Sequence, residues 1–227
     1  MCGRYSLGRK DTPWAFAEVR VEWDGRPRYN VGPLQKAPVV RRRGGRHVVD
    51  ELRWGLVPPW ARDDSGAARA INARSEGVAE TRLFREAFRL RRCLVPADAF
   101  YEWETEQGRR LPWRIHRTDG QPFLMAGLWD SCANVVEGEG TLETFTVLTT
   151  AANDDVRPIH DRMPVLLTGD AAAVWLAEET SPEILGRLCV SAPKGTLSRH
   201  RVSPRMNSVQ YDGPECAEPV MQQGSLF

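Results

Sequence analysis

The stretch Cys93-Leu94-Val95-Pro96-Ala97-Asp98-Ala99-Phe100-Tyr101-Glu102-Trp103 opens the part of the chain in which extended segments dominate. Its apolar, β-branched and aromatic residues predict one strand over 93–103. Similar runs predict strands over 113–117, 123–131 and 145–150. Asp119-Gly120 predicts a turn that joins the strands 113–117 and 123–131. Consecutive strands with short connections favour an antiparallel sheet.

Outward from this region, Gly44-Gly45 separates two extended runs, 37–43 and 46–51, and predicts a hairpin. Residues 24–33 are rich in Gly and Pro and predict a loop. Helices are predicted around the sheet, in four places: after Thr12-Pro13, over 81–90, over 171–178 with Asp170 as the cap, and after Pro182.

Together these elements predict the α+β class. We expect a single mixed α/β domain with a largely antiparallel, barrel-like central sheet and peripheral helices. The domain is expected to span 1–211, and the polar segment 212–227 to form a flexible C-terminal tail.

The 227-residue chain is 41% hydrophobic and 27% charged, with a formal net charge of +1. No apolar run approaches the roughly 18 residues that span a bilayer, so we expect no membrane contact, a cytoplasmic location and a monomer. Lys occurs only at Lys10, Lys36 and Lys194, which leaves 31 − 3 = 28 Arg. Arginine grips phosphate bidentately, although GC-rich codon usage produces the same excess.

The five cysteines are odd in number and no pair has C-x-x-C spacing. This pattern argues against a structural metal site and against a disulfide framework, so no metal and no cofactor are expected. Cys93 and Cys189 lie in apolar runs and are interpreted as core thiols.

Cys2 differs because of its position behind Met1. Removal of Met1 would leave Cys2 with an α-amine and a thiol on adjacent carbons. The amine, with an ordinary pKa of about 7.7–8, condenses with an aldehyde, and the thiol then closes a five-membered thiazolidine. The alternative is that Cys2 is an incidental second residue.

Three further segments carry candidate site residues. In Ile71-Asn72-Ala73-Arg74-Ser75-Glu76, an amide beside a guanidinium can hold a polar ligand, unless the segment is only a capping turn with an outward Arg74. Arg82, on the following predicted helix, can add a phosphate contact. Strand alternation puts Phe100, Glu102 and Glu104 on one face and Tyr101 and Trp103 on the other.

A partly buried carboxyl group at Glu102 would have a raised pKa and serve as a general acid or base, or else the face is simply exposed. His160 lies between Pro158 and Pro164, with Asp161 and Arg162 beside it. Proline-bounded loops often carry active-site groups; the alternative is a structural loop histidine.

Taken in order, the segments of this sequence resemble the SOS response-associated peptidase family, the abasic-site processing proteins. The resemblance rests on these matching pieces: Met1 to Tyr5, Tyr29 to Pro33, Trp54 to Pro58 with Trp60, Ile71 to Glu76, Cys93 to Pro96, Phe100 to Trp103, Met125 to Trp129, Phe145 to Ala152 and Ile159 to Pro164. They span residues 1 to about 210. Gly32 stands where the family usually has Ala, a departure that we expect to be without effect.

The resemblance implies that Cys2 is the nucleophile, with Asn72, Glu102 and His160 around it. It implies DNA contacts by seven residues: Arg4, Pro33, Trp60, Arg74, Arg82, Thr149 and Arg162. The implied partner is single-stranded DNA that carries an abasic site, bound during a DNA-damage response and near the nucleoid. The implied activity is aldehyde capture by Cys2, with a possible strand-cleaving side reaction.

Two other functions fit the same residues. One is a thiol peptidase of the N-terminal-nucleophile type, acting on other peptides or only on its own chain, in which Cys2 attacks an amide and His160 is the base. The other is a single-stranded DNA-binding module that forms no covalent product. The electrophile distinguishes them, because a peptidase turns over peptides and an aldehyde trap ends as a one-to-one adduct.

Overall fold

The computed structural model describes residues 2–8, 25–137 and 140–220. The strands of this part are β1 (Arg4–Leu7), β2 (Arg28–Val31), β3 (Lys36–Arg43), β4 (Arg46–Trp54), β5 (Asn72–Arg74), β6 (Arg92–Ala97), β7 (Ala99–Glu106), β8 (Arg109–Arg117), β9 (Phe123–Glu137), β10 (Gly140–Ala151), β11 (Arg162–Pro164), β12 (Leu166–Leu167) and β13 (Leu197–Arg201). The helices are α1 (Arg85–Leu90), α2 (Asp170–Leu176) and α3 (Pro182–Leu188).

Five strands close into a barrel. The neighbours run β10, β4, β3, β6 and β9, and the pairing of β9 with β10 completes the circle. The β4–β10 pair is parallel, whereas the other four pairs are antiparallel. Where β4 leaves β10, the short strand β5 takes its place, with Asn72 opposite Val147. Closure removes the free edges that would otherwise expose unpaired backbone groups.

A second sheet, in the order β13-β8-β7-β1-β2, is antiparallel throughout. Its apolar face and the barrel share one core cluster, in which Tyr5 packs edge-on against Trp54 with 5.3 Å between ring centroids. Strand β1 lies between β2 and β7, so the N-terminal segment is an internal strand.

The predicted α+β class and the largely antiparallel, barrel-like sheet are confirmed. The predicted hairpin is also confirmed, because β3 pairs with β4 and Arg43 faces Arg46 across Gly44-Gly45. Both glycines have positive φ, of 57° and 77°, as a tight hairpin turn requires. The helix after Pro182 is confirmed as α3, and the Ser181 side chain accepts a hydrogen bond from the Ile184 amide.

The single strand predicted over 93–103 is wrong. The chain breaks at Asp98, so that β6 belongs to the barrel and β7 to the second sheet. The Asp98 carboxylate accepts hydrogen bonds from the Ser6 hydroxyl and from the Gly8 amide, the latter at 2.6 Å. These bonds hold the corner at which the chain passes from the barrel to the second sheet. They join residues that are about 90 positions apart in sequence, and local strand propensity carries no information about such contacts.

The turn at Asp119-Gly120 exists, but it joins strands that do not pair. Gly120 donates to the Arg117 carbonyl with φ +67°, while β8 and β9 lie in different sheets. The loop predicted over 24–33 is also wrong over 28–31, because β2 pairs with β1 there. Pairing with a distant strand outweighs the weak local propensity.

The helix predicted over 81–90 begins later, at Arg85. The prediction that Asp170 caps a helix over 171–178 is wrong in detail, because Asp170 is itself the first residue of α2 and follows Gly169. The helix predicted after Thr12-Pro13 lies outside the described residues. Among the described residues, no helix is long and apolar enough to cross a membrane.

Residues 212–220, which the sequence assigns to the tail, contact the second sheet. The Asp212 carboxylate accepts from the amides of Tyr29 and Asn30 at 2.5 and 2.6 Å. Cys216 is buried, and Val202 forms a bridge with Pro219. The domain boundary at residue 211 stays a prediction.

We predict that Gly55→Ala destabilises the fold by about 3 kcal/mol in urea unfolding. Gly55 has φ +130°, and a Cβ there would lie 2.7 Å from the Ala67 carbonyl oxygen, which is backbone and moves only with its whole loop. Gly66→Ala is the matched control, because nothing lies within 4 Å of its Cβ position. It should change stability by less than about 0.5 kcal/mol. Equal losses in both variants would contradict the steric explanation.

Candidate functional site

Cys2 is fully buried where the N-terminal segment enters β1. Its backbone carbonyl accepts a hydrogen bond of 2.8 Å from the Asn72 side-chain amide. Its Sγ lies 3.7 Å from the Arg4 carbonyl oxygen. The backbone of Cys2 is therefore fixed by a side chain that is 70 residues away in sequence.

Asn72 begins β5 and is buried beside β10. The preceding residue is fixed as well, because the Trp54 indole N–H donates to the Ile71 carbonyl at 2.8 Å. Two distant elements thus hold the Asn72 amide in position to reach Cys2.

Glu102 lies on β7, opposite Trp113 of β8, and is 2% exposed. Burial raises the pKa of the Glu102 carboxyl to about 7, and the nearby Asp161 carboxylate adds to the increase. Burial also raises the pKa of the Cys2 thiol, and the Glu102 charge raises that pKa further. The prediction of a buried carboxyl with a raised pKa on this strand is confirmed.

His160 lies on the segment between β10 and β11. Two residues near it in sequence, Ile159 and Met163, pack in the core cluster that also contains Cys2. Its Nδ1 accepts from the Arg162 amide at 2.9 Å and lies 2.9 Å from Asp161 Oδ1. Burial lowers the pKa of His160, so the ring is neutral at pH 7.

Thr149 and Arg162 are brought together beside this segment. The Arg162 guanidinium donates to the Thr149 carbonyl at 2.6 Å and makes two hydrogen bonds to the Glu76 carboxylate. These bonds hold the pKa of Glu76 below its usual range. With its side chain 12% exposed, Arg162 is engaged mainly within the protein, and Thr149 is buried.

Arg4 and Pro33 line a cavity of about 310 Å³ next to the Cys2 segment, together with Gly3, Trp103, Arg110 and Asn207. The Arg110 guanidinium lies 5.0 Å from the Trp103 ring centroid. The Trp103 indole N–H donates to the Asn207 side chain at 2.7 Å. Arg110 and Asn207 were not predicted as site residues, because no sequence motif marks them. Arg110 reaches the cavity through the pairing of β8 with β7, and Asn207 reaches it through the segment 203–212.

Asn30 connects Arg4 to those residues. Its side-chain oxygen accepts from the Arg4 guanidinium at 2.9 Å. Its amide nitrogen donates to the carbonyls of Met206, Ser208 and Tyr211 at 2.8–3.0 Å. Asn30 is fully buried, so these groups have little access to water.

Gly32 lies beside two side chains. A Cβ at this position would lie 2.8 Å from a Val209 methyl and 3.2 Å from Arg4 Nε. Both atoms belong to flexible side chains, and Val209 is 39% exposed, so the expectation that glycine in place of alanine is without effect stays a prediction.

The remaining predicted DNA contacts lie on the surface. Trp60 is 44% exposed, and the Arg82 guanidinium lies 5.5 Å from its ring centroid. Arg74 is exposed at the end of β5, two residues from Asn72. In the described ranges no group of three or more His, Cys, Asp or Glu side chains could hold a metal ion.

The fold and the site define a protein in which Cys2 is buried, hydrogen-bonded through its carbonyl to the Asn72 amide and near the Glu102 carboxyl. The family described as SOS response associated peptidase (SRAP) matches residues 1–209. The chain belongs to this family.

Three similar proteins can be compared. The abasic site processing protein YoqW of Bacillus subtilis is 35% identical over 224 residues, covering 96% of this chain and 99% of the relative. The abasic site processing protein YedK of Escherichia coli is 32% identical, covering 97% of this chain and 100% of the relative. A crystal structure from Bacteroides thetaiotaomicron superposes with a TM-score of 0.75 at 25% identity, covering 86% of each chain.

We predict that Asn30→Ala lowers the free energy of unfolding by about 3 kcal/mol, because it removes the hydrogen bonds that this fully buried side chain makes to Arg4 and to three backbone carbonyls. Hydrogen exchange of residues 203–212 should become faster in the same variant. Asn134→Ala is the control, since Asn134 also donates to a backbone carbonyl, that of Ala61 at 2.9 Å, but is exposed. Unchanged exchange over 203–212 would contradict the role assigned to Asn30.

Proposed function

We propose that the protein captures the aldehyde of abasic sites in single-stranded DNA by forming a covalent thiazolidine with Cys2 after removal of Met1. The observation that carries the proposal is the environment of Cys2. Asn72 donates a hydrogen bond to its carbonyl, and the Glu102 charge is near enough to raise the pKa of its thiol. The names of the relatives, abasic site processing proteins, support the choice of lesion.

The raised pKa of the Cys2 thiol favours an order of events. A buried thiol that stays protonated is a poor first nucleophile. The α-amine, with an ordinary pKa of about 7.7–8, is partly neutral at physiological pH and attacks the aldehyde carbon, C1′. Water then leaves, and the C=N bond of an imine forms.

Ring closure follows. The sulfur adds to C1′, the thiol proton passes to the nitrogen, and the thiazolidine is complete. The overall change is the loss of one water, with no oxidation or reduction. The ring traps the imine, which by itself is reversible and open to β-elimination of the 3′ strand.

Glu102 is suited to the proton transfers. A carboxyl with a pKa of about 7 is present in both forms at neutral pH, which is the condition for an effective general acid and base. Its acid form donates to the departing water. His160, whose pKa is lowered by burial, is assigned to opening the closed sugar to the aldehyde. Asn72 is a positioning residue that acts through the Cys2 carbonyl.

The surrounding surface fits an unpaired strand. Exposed Arg74 and Arg82 offer phosphate contacts, and Trp60 offers a stacking surface. Arg4 and Pro33 line the cavity beside the Cys2 segment. A duplex would hide C1′ inside the helix, whereas a single strand can deliver it.

The peptidase alternative is less well supported. A cysteine peptidase needs a thiolate, and burial together with the Glu102 charge raises the pKa of the Cys2 thiol. The same environment does not hinder attack by an amine.

Incubation with a single-stranded oligonucleotide bearing one abasic site should give a heat-stable one-to-one adduct. Its intact mass should equal the protein without Met1 plus the DNA minus one water. Cys2→Ala should give no stable adduct. Cys2→Ser keeps the amine, so it should yield only an imine, trapped by borohydride, together with strand cleavage. A heat-stable adduct from Cys2→Ser without reductant would overturn the thiazolidine step.

The rate of adduct formation should have a bell-shaped dependence on pH. It falls at low pH because the amine, with an ordinary pKa of about 7.7–8, is protonated, and it falls at high pH because Glu102, with a pKa of about 7, loses the proton that it donates. The maximum should lie between these two pKa values. Glu102→Gln should react about 100-fold more slowly and lose the fall at high pH. Glu106→Gln, on the exposed end of the same strand, is the control. An alkaline fall that persists in Glu102→Gln would rule out Glu102 as the acid.

A further inference from the structure

The segment 56–70, here called the 56–70 loop, leaves β4 and returns to β5 with its ends tied together. The Leu56 amide donates to the Ala70 carbonyl at 3.1 Å. The loop is pinned from outside by the Arg53–Asp64 ion pair at 2.9 Å and by the bond from Asn134 to the Ala61 carbonyl. Compact loops with joined ends are frequently functional, and these contacts hold this one in a defined shape.

The 56–70 loop and Leu83 line a cavity of about 400 Å³ that is open to solvent on one side. Its floor is apolar and includes Leu56, Ala67 and Ala70, whereas Arg62 and Arg69 stand at its rim. The volume lies in the range of small-ligand sites, about 300–1,000 Å³. An apolar floor under a polar rim suits a flat, largely apolar ring with a charged attachment.

The charge around this cavity is positive. In the described part of the chain, no carboxylate forms an ion pair with the exposed arginines Arg62, Arg69, Arg74 and Arg82. Of the nearby acids, Asp64 pairs with Arg53 and Glu76 with Arg162. Asp63 also lines the cavity and accepts hydrogen bonds from Ser65, so one carboxylate stands against the two arginines Arg62 and Arg69 in the lining. Free guanidinium groups at a rim favour a ligand that carries phosphate.

The cavity is close to Cys2. Ala70 lines it, and Asn72, two residues further on, donates to the Cys2 carbonyl. Two residues span at most about 7 Å, and nucleotides in a stacked strand rise about 3.4 Å each. One strand can therefore reach both places within a few nucleotides. Trp60, on the same loop, is exposed beside Arg82.

We propose that this cavity is a nucleobase pocket, which takes an intact base of the strand a few nucleotides from the abasic site while Arg62 and Arg69 hold the adjoining phosphates. The inference rests on the proposed function and deepens it. An intact base seated there fixes the register of the strand, so that the sugar without a base arrives at Cys2.

The test uses the full chain and single-stranded oligonucleotides with a tetrahydrofuran abasic analogue, which has no aldehyde and forms no crosslink. The fluorescent base 2-aminopurine is placed at successive positions on either side of the analogue. A base that leaves the stacked strand for the pocket should change its fluorescence on binding at one position, with small changes elsewhere.

Gly66→Phe tests the pocket directly. Gly66 lines the cavity, has φ −81°, and has nothing within 4 Å of its Cβ position, so a large side chain fills the space without strain. We expect loss of the position-specific signal and about tenfold weaker binding. Gly186→Phe, on α3 with equally open surroundings, is the control and should behave as wild type. Arg62→Gln with Arg69→Gln should weaken binding and reduce its salt dependence.

The outcomes separate the pocket from the proposed function. Equal fluorescence changes at all positions, or wild-type binding by Gly66→Phe, would overturn the pocket and leave the cavity to another kind of ligand. Normal crosslinking to a true abasic site in the same preparation would show that aldehyde capture stands regardless. A position-specific signal that Gly66→Phe abolishes would establish the pocket even if no crosslink formed.

Discussion

The position of β1 between β2 and β7 is the constraint on which the rest of the site depends. A terminal segment is usually loosely held, but here Arg4–Leu7 is hydrogen-bonded on both sides. Cys2 is consequently carried into the core, where Asn72 reaches its carbonyl. Asn72 lies on β5 and Glu102 on β7, and only the pairing of β1 brings Cys2 to both. If β1 left the sheet, Cys2 would therefore lose both neighbours at once.

Burial then sets the chemistry. The same exclusion of water raises the pKa of Glu102 to about 7, raises the pKa of the Cys2 thiol and lowers the pKa of His160. All three shifts favour the neutral form of the group, as desolvation does. A site of this kind suits proton transfer to and from neutral nucleophiles better than attack by a preformed thiolate.

The arginines divide by their partners. Arg4 and Arg162 are bonded to groups of the protein, and Arg41 is fully buried with Asp50 and Glu143. Arg74 and Arg82, with the two arginines at the rim of the 56–70 loop cavity, face solvent. The arginine excess in the composition therefore mixes structural and surface residues, and only the surface ones are free to meet phosphate.

The sequence by itself determined the α+β class, the β3–β4 hairpin and the alternation that puts Glu102 on the same face as Phe100, because these depend on local turn chemistry and on side-chain period. That this face is buried at Glu102 was decided by the tertiary structure. The ordered motifs also indicated the family. The break at Asp98, the strand β2, the bonds of Asn30 and the approach of Arg110 and Asn207 were decided only by the tertiary structure. Each depends on contacts between residues far apart in the chain, such as Asp98 with Gly8 and Asn30 with Met206. Local propensity carries no information about such pairs, since their energy exists only when the sheets have already brought them together.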